Sequence, residues 1–303
     1  MTQPVAVLGV GGIGGMLAAQ TGAICVGTER TVAAIRGSGL TLVHGATTTV
    51  ARPMAVERLE RPIGLLVVAV KAYDLDDALD RIAPEALAGA LVLPLLNGLE
   101  HVEAIRERFR PSDTVSLDPP AVAAGSIGRV EAYSPEPGRV VQRTPGTPVV
   151  TVASRELEMT ALGAALEPLR VPTIDVVLGD DERSVLWEKA ARLAVLAAAT
   201  VASSLAVGPL RVDEAWRQRL VEALNEACAV AAADGVPLDA AEQWAIIEAM
   251  PNDLTTSAAR DASSRRQTEL DAIAGSVVRA GARLGVPTPA LERLLEEAAC
   301  RVR

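Results

Sequence analysis

The residues PVAVLGVGGIGGMLAAQ, positions 4 to 20, restrict what this chain can fold into more than any other stretch. An apolar, β-branched run from Val5 to Leu8 reads as a strand buried on both faces. Gly9, Gly11 and Gly14 follow with the spacing G-x-G-x-x-G, and Met16 to Ala19 supply the small and apolar residues of a helix. Strand, glycine turn and helix in that order make the phosphate-binding turn of a dinucleotide fold. The first glycine allows the tight turn and the second lets the backbone approach a pyrophosphate. The third lets helix and strand pack closely, while free amides at the helix start face the phosphates. On this reading Gly9, Val10, Gly11, Gly12, Ile13 and Gly14 are cofactor-binding positions. The competing reading is a glycine turn that only serves packing.

Composition removes several alternatives. The chain has 303 residues, room for about two domains. Half of it is apolar and 22% charged, which argues for a sizeable core and against disorder. With one Phe, two Tyr and three Trp, the core must be filled by Ala, Val and Leu, and little remains for stacking on bases. A net charge of −9 also opposes a phosphate-backbone binder, so no nucleic-acid partner is expected. Cys25, Cys228 and Cys300 are scattered and odd in number, and His44 and His101 form no cluster with them. That suits a reducing cytoplasm and gives no metal site. No signal-peptide pattern and no uninterrupted membrane-length apolar run is present, so a soluble protein without a membrane partner is expected.

After the first helix, Ala23 to Gly27 reads as a second strand ending in Thr28-Glu29-Arg30. In a dinucleotide fold this strand end discriminates between the two nicotinamide cofactors. Glu29 suits a free ribose hydroxyl, whereas Thr28 with Arg30 suits a 2′-phosphate, and we weigh the pair toward NADP (NADPH) over NAD. Thr31 to Ser38 reads as a helix, Leu40 to Val43 and Thr47 to Ala51 as strands, and GLLVVAV, Gly64 to Val70, as a buried strand ending in Lys71. A helical pattern from Asp74 to Ile82 precedes the strand Ala90 to Leu96, which ends in Asn97-Gly98. Alternating strands and helices imply a parallel sheet, whose ligands gather at the carboxyl ends of the strands. Lys71 and Asn97 stand at such ends, although Asn-Gly alone is an ordinary turn dipeptide. His101 to Phe109 is helical and closed by Pro111; residues 114 to 152 read as a mainly antiparallel extension of the sheet. A helix from Glu156 to Leu169 and a strand in VPTIDVV follow.

Between residues 172 and 180 the texture changes, giving expected domains 1–175 and 176–303. A helix from Glu182 to Ala206, reaching as far as Gly208-Pro209, is followed by helices at Val212 to Asp234, Ala240 to Met250, Ser257 to Leu284 and Pro289 to Val302. A site between two such domains is a usual setting for a small molecule. Lys189 lies in the apolar segment LWEKAARLAVLAAA, with Leu193 and Ala197 on its face at four-residue steps. A lysine there is paired, shifted in pKa, or snorkelling to water. Glu269, taken alone, reads as a surface carboxylate. The long Ala/Leu face of this half serves equally for a homodimer contact or for an internal core.

Read together, these positions resemble the ketopantoate reductase (2-dehydropantoate 2-reductase) family, nearly end to end. The pieces are the glycine turn, Val70-Lys71-Ala72, Leu96-Asn97-Gly98, Trp187 with Lys189, Thr200, Gly208, and Ser257 with Glu269-Leu270-Asp271 and Gly275. The resemblance implies an α/β fold, with an N-terminal Rossmann-type dinucleotide-binding domain that holds NADPH followed by an all-α C-terminal domain with the catalytic lysine. It implies a small-molecule 2-oxo-acid substrate, with Lys189 as general acid and Glu269 as the carboxylate that orients it and binds a substrate hydroxyl. Asn97 and Ser257 would bind the oxo-acid end, Lys71 would lie near the nicotinamide ribose and substrate, and Thr200 joins the substrate-binding set. Lys71, Asn97 and Glu269 also count among the cofactor-binding positions. Three departures are visible. Leu193 and Ala197 stand where the family usually has asparagines, Asp74 where it has Gln, and Thr28 where it often has Arg. An apolar face after Lys189 disfavours a polar hydroxy acid and tolerates a more apolar substrate. Arg192 could capture a carboxylate in their stead or stand solvated. Two further readings stay open: a reductase of another carbonyl or imine on the same fold, and a non-catalytic NADP-binding relic.

Overall fold

The computed structural model describes residues 4–110 and 118–302. Its contacts divide the chain into two compact units, one of Met1–Leu96 and His101–Val185, the other of Asn97–Glu100 and Leu186–Arg303. The expected division at 175/176 lies earlier than this one. Composition changes where the long helix Glu182–Ser203 is about to start, whereas the contacts change partway along it.

In the first unit the strands Ala55–Val56, Ile24–Val26, Val5–Leu8, Leu65–Val68, Leu91–Pro94 and Ala121–Val122 lie side by side in that order, all parallel. Counted along the chain within this sheet, the order is 3-2-1-4-5-6, the doubly wound arrangement. Val5–Leu8, Leu65–Val68 and Leu91–Pro94 are buried at every position, as strands covered on both faces must be. The strand order reverses between Val5–Leu8 and Leu65–Val68, so the glycine turn and Lys71 follow the two strands that flank the switch point.

The expected antiparallel extension is corrected. Pro111 and residues 114–117 lie outside the described residues. Beyond them, Ala121–Val122 adds a parallel edge strand to the first sheet, and the later strands build two further sheets. One runs Ala132–Glu136, Arg139–Gln142, Leu40–His44, Thr47–Ala51; the other runs Asp175–Leu178, Val149–Ala153, Ala124–Gly128. Hairpin pairing is antiparallel, but Arg139–Gln142 runs parallel to Leu40–His44 and Asp175–Leu178 parallel to Val149–Ala153. The expected helix from Glu156 shrinks to Met159–Ala165 and a 3-10 turn at Glu167–Leu169, because Pro168 has no amide hydrogen to continue the ladder. The pattern at Asp74 likewise resolves into a 3-10 turn, Ala72–Asp74, and a short helix, Leu75–Leu79. Arg106, on the helix His101–Arg108, pairs with Glu103, Glu156 and Glu182 and donates to the Val122 carbonyl at 2.7 Å. It thereby fixes the sheet edge to the start of the long helix.

The second unit is helical: the greater part of Glu182–Ser203, then Val207–Val212, Glu214–Ala233, Ala240–Glu248, Ser257–Ser263, Ser276–Leu284 and Pro289–Val302. The long helix contributes Trp187, Ala190, Ala191, Ala194, Val195, Leu196, Ala198 and Ala199 to a core that also holds Leu210, Leu220, Ala223, Leu224, Ala227, Leu291 and Leu294. The Trp187 indole N–H donates to Asp234 at 2.8 Å. Helix starts are capped as the sequence allows: Asp213, Asp239 and Thr256 each accept from an amide of the turn they precede.

Two helix expectations fail. Gly208-Pro209 does not mark a gap but lies in the first turn of Val207–Val212, where proline lacks a hydrogen that has no partner anyway. The expected continuous helix from Ser257 to Leu284 breaks after Ser263. A turn at Ser264-Arg265, an irregular stretch to Glu269 and a π-helical turn at Asp271–Gly275 intervene before Ser276.

The segment Asn97–Glu100 owes its place on the second unit to Gly98. This glycine has φ +96°, and a Cβ there would lie 2.0 Å from the Ala272 carbonyl oxygen, inside the π-helical turn. Replacing it forces both backbones apart. We therefore expect Gly98→Ala to cost roughly 2–4 kcal/mol. Gly45→Ala, at φ +58° with nothing within 4 Å of the new methyl, should cost only about 1 kcal/mol. Thermal unfolding of the two variants checks the contrast, and equal midpoints would remove the packing argument.

Candidate active site

The glycine turn separates into positions with different reasons to be glycine. Gly9 has φ +94°, and a Cβ on it would meet Val70 at 2.5 Å. On Gly12 a Cβ would sit 2.2 Å from the Ala132 carbonyl oxygen, and on Gly14 it would sit 2.0 Å from that of Gly9. These three are demanded by the chain itself. Gly11 is not: its φ is −85° and nothing lies within 4 Å of the Cβ it lacks. The open flank of Gly11 is the cradle that close approach of a pyrophosphate requires. Gly11 also stands at the N-cap of the helix Gly12–Thr21, where no side chain caps the first amides. The residues present fit a dinucleotide. Val10 is buried and Ile13 partly buried within the core beside the turn.

Thr28 is the N-cap of the helix Glu29–Ser38, just beyond the strand Ile24–Val26, and Thr28, Glu29 and Arg30 are all exposed. The Thr28 hydroxyl shares a hydrogen bond of 3.1 Å with that of Thr31. Lys71, partly buried, caps the 3-10 turn Ala72–Asp74 with its backbone, its carbonyl accepting from the Asp74 amide at 2.9 Å.

Lys189, Asn97, Ser257, Glu269 and Thr200 all belong to the second unit. Lys189 is partly buried on the long helix, and Glu269, which alone reads as a surface group, is only 5% exposed. Burial lowers the Lys189 ammonium to a pKa of about 8; the Glu269 carboxylate pulls against that shift and Arg192 adds to it. The break in the expected helix is what frees Glu269 from a regular surface position. The chain leaves Ser257–Ser263 through Arg265 at φ +54° and re-enters a helix at Leu270. Asp261, buried, holds this turn by accepting from Arg266 at 2.8 and 2.9 Å.

Thr200 is fully buried. Its hydroxyl donates to the Leu196 carbonyl at 2.7 Å and shares a 2.8 Å hydrogen bond with Thr256. Thr256 in turn accepts from the Ala259 amide at 3.1 Å as the cap of the helix that begins with Ser257. Arg192 does not stand fully solvated. It is partly buried and donates to the buried Gln243 side chain. Leu193 packs against a cluster holding Ala197, Val201, Ala258, Leu270 and Ile273, so the face that follows Lys189 is continuous with the neighbours of Ser257 and Glu269.

Sequence reasoning misses the contacts of Gly12 with Ala132 and of Gly98 with Ala272, and the ion pairs that Arg279 makes with Glu100 and Asp271. The one local signal among them is the Asn-Gly dipeptide, which announces a turn and says nothing of its partner. Among the described residues, no cluster of His, Cys, Asp and Glu could hold a metal ion, and no helix is long and apolar enough to cross a membrane.

Residues 5–154 match the family model described as ketopantoate reductase PanE/ApbA, and residues 181–299 match its C-terminal counterpart. A 2-dehydropantoate 2-reductase of Caulobacter vibrioides is 29% identical over 300 residues, covering 94% of each chain. Among solved structures, a PanE/ApbA family ketopantoate reductase from Ralstonia eutropha is similar with a TM-score of 0.82 at 27% identity, covering 99% of this chain and 98% of that one. D-mandelate dehydrogenase, solved with NADH and anilino(oxo)acetate, shares the fold with a TM-score of 0.86 at 23% identity over 99% of this chain and 98% of that one. A doubly wound sheet with a glycine turn, a helical unit that sets a lysine beside a buried carboxylate, and matches over both halves lead to one conclusion: this chain belongs to the ketopantoate reductase family of oxidoreductases.

Proposed function

We propose that this protein reduces a 2-oxo acid, ketopantoate or a more apolar relative, to the 2-hydroxy acid with NADPH. The observation that carries this reading is the Lys189 ammonium, lowered to about 8 by burial and opposed by the buried Glu269. Gly9 to Gly14 would hold the pyrophosphate, and Thr28 with Arg30 the 2′-phosphate. The nicotinamide supplies the hydride.

The remaining work falls to the chain. A ketone oxygen that becomes an alkoxide needs a proton and, until it has one, a positive charge beside it. Lys189 supplies both, and because it sits in an apolar segment its charge acts in a poorly screened setting. Glu269 keeps the ammonium oriented and partly offsets the cost of burying it. Asn97 and Ser257 bind the oxo-acid end, and Lys71 lies near the nicotinamide ribose and the substrate. Thr200, expected in the substrate-binding set, acts instead as a positioning residue through Thr256, which starts the Ser257 helix.

A second reading keeps the fold and changes the substrate to another carbonyl or an imine. The apolar strip from Leu193 to Ala197 favours a substrate with fewer polar groups than ketopantoate, and D-mandelate dehydrogenase, which shares the fold, was solved with NADH and anilino(oxo)acetate. Consumption of NADPH, followed at its absorbance, across 2-oxo acids and cyclic imines separates the readings. Tight NADPH binding without turnover on any of them would return the relic reading.

Lys189→Ala should lower kcat by about 10²–10⁴-fold with NADPH affinity unchanged. In the wild type, reduction requires the ammonium, so kcat/KM should be level below neutral pH and fall as pH rises through about 8. A profile level to pH 10 would remove Lys189 as the acid. Arg30→Ala should weaken NADPH by about 10- to 100-fold and NADH hardly at all, a charge-assisted phosphate contact being worth roughly 1.5–3 kcal/mol. Equal effects on both cofactors would place the guanidinium off the 2′-phosphate. Leu193→Asn should raise kcat/KM for ketopantoate relative to an unbranched or methyl-branched 2-oxo acid by about 10-fold or more. An unchanged ratio would take Leu193 out of substrate selection.

A further inference from the structure

Arg279 lies on the helix Ser276–Leu284, outside every residue assigned above to cofactor or substrate. Its guanidinium grips two segments at once. The Nε and one terminal nitrogen donate to the two oxygens of Glu100, each at 2.8 Å, in the paired geometry that suits arginine and carboxylate. The other terminal nitrogen donates to the Asp271 carboxylate at 2.9 Å, and the Asp271 backbone carbonyl receives a further bond at 3.1 Å. Glu100 ends the short segment that begins with Asn97, and Asp271 stands two residues after Glu269. Between them, Gly98 packs its backbone against Ala272.

Isolated surface ion pairs are worth little, because solvent screens them and two long side chains must be ordered. Here the geometry differs in kind. One rigid fork makes four hydrogen bonds, and both residues it grips, Glu100 and Asp271, are the ends of segments already in backbone contact. The Gly98 contact fixes the middle of the segment but leaves its far end free to swing; the Glu100 pair removes that freedom. The π-helical turn at Asp271–Gly275 is the element being gripped, and wound this way it sets the direction in which Glu269 precedes it.

We infer that Arg279 is a positioning residue, which holds the Asn97–Glu100 segment against the turn that follows Glu269 so that Asn97 and Glu269 meet one and the same substrate. This rests on the reading of Asn97 and Glu269 as substrate-binding residues. Arg279 touches neither substrate nor cofactor. Its effect falls mainly on substrate binding; nucleotide binding, carried by the glycine turn and only in part by Asn97 and Glu269, changes less.

The test compares the full-length wild type with Arg279→Met, Arg279→Lys, Glu100→Gln and the double variant Arg279→Met/Glu100→Gln. For each, kcat and KM for the best 2-oxo acid, NADPH affinity by fluorescence, thermal midpoint, and amide hydrogen exchange across residues 97–100 are measured. Arg279→Met should raise KM for the 2-oxo acid about tenfold with a smaller change in NADPH affinity, and speed exchange in 97–100 by a similar factor. Lysine at position 279 should recover part of the KM, since it keeps the charge and loses the fork. Glu100→Gln should act in the same direction, and the double variant should be no worse than Arg279→Met, because both cut one link. Unchanged KM with faster exchange overturns the positioning role, and unchanged exchange overturns the latch itself. A thermal midpoint that collapses in Arg279→Met but not in Glu100→Gln leaves the second variant to decide by the same two readouts. Wild type that turns over no 2-oxo acid refutes the reaction reading, and with it the functional role, while exchange in 97–100 still decides the latch.

Discussion

An ammonium set among alanines and leucines has to be balanced by a carboxylate, and in this chain the balance at Lys189 is struck by Glu269. Much of the second unit follows from that need. The two residues stand 80 positions apart in sequence. A regular helix running through Ser257 to Leu284 would have repeated Glu269 on a surface stripe, at the mercy of solvent. Breaking that helix, with Asp261 and Arg266 closing the turn and Thr256 starting it, lets the carboxylate sit buried while its helix continues beyond. Burial lowers the lysine's pKa to about 8, and the Glu269 carboxylate opposes that shift.

The first unit meets a different constraint, the approach of a highly charged group to backbone. Here the glycines divide by cause. Gly9, Gly12 and Gly14 answer to Val70, Ala132 and the turn itself, while Gly11 answers to nothing inside the chain. A fingerprint of this sort therefore mixes folding information with ligand information, and only the structure sorts one from the other.

How much was legible in the sequence follows from the range of the interactions involved. The parallel sheet, the glycine turn and the helical second half are carried by local periodicity, and they emerge as read. Lys71 and Asn97 are found at the strand ends because strand ends are local features too. The burial of Glu269 and the role of Thr200 in a buried hydroxyl pair are not local, since each depends on a partner dozens of residues away. The sheets beyond residue 118 mislead for a related reason. Short strands with turns between them do pair antiparallel with one another, yet they build sheets of their own, and Arg139–Gln142 also finds a parallel neighbour in Leu40–His44. The helix break after Ser263 is the instructive failure. Its residues are unremarkable helix surface by propensity, and a tertiary demand overrides them.

The mixed sizes in the interior of the second unit have a consequence for how this molecule tolerates change. Large side chains such as Trp187, Leu220, Leu224 and Leu291 are vulnerable to truncation, because each leaves a cavity when it is cut back. At Ala194 and Ala227, both fully buried in the same core, the limit is reversed, since an added branch must displace its neighbours. Sequence drift in this unit is thus bounded from below in volume at the first positions and from above at the second.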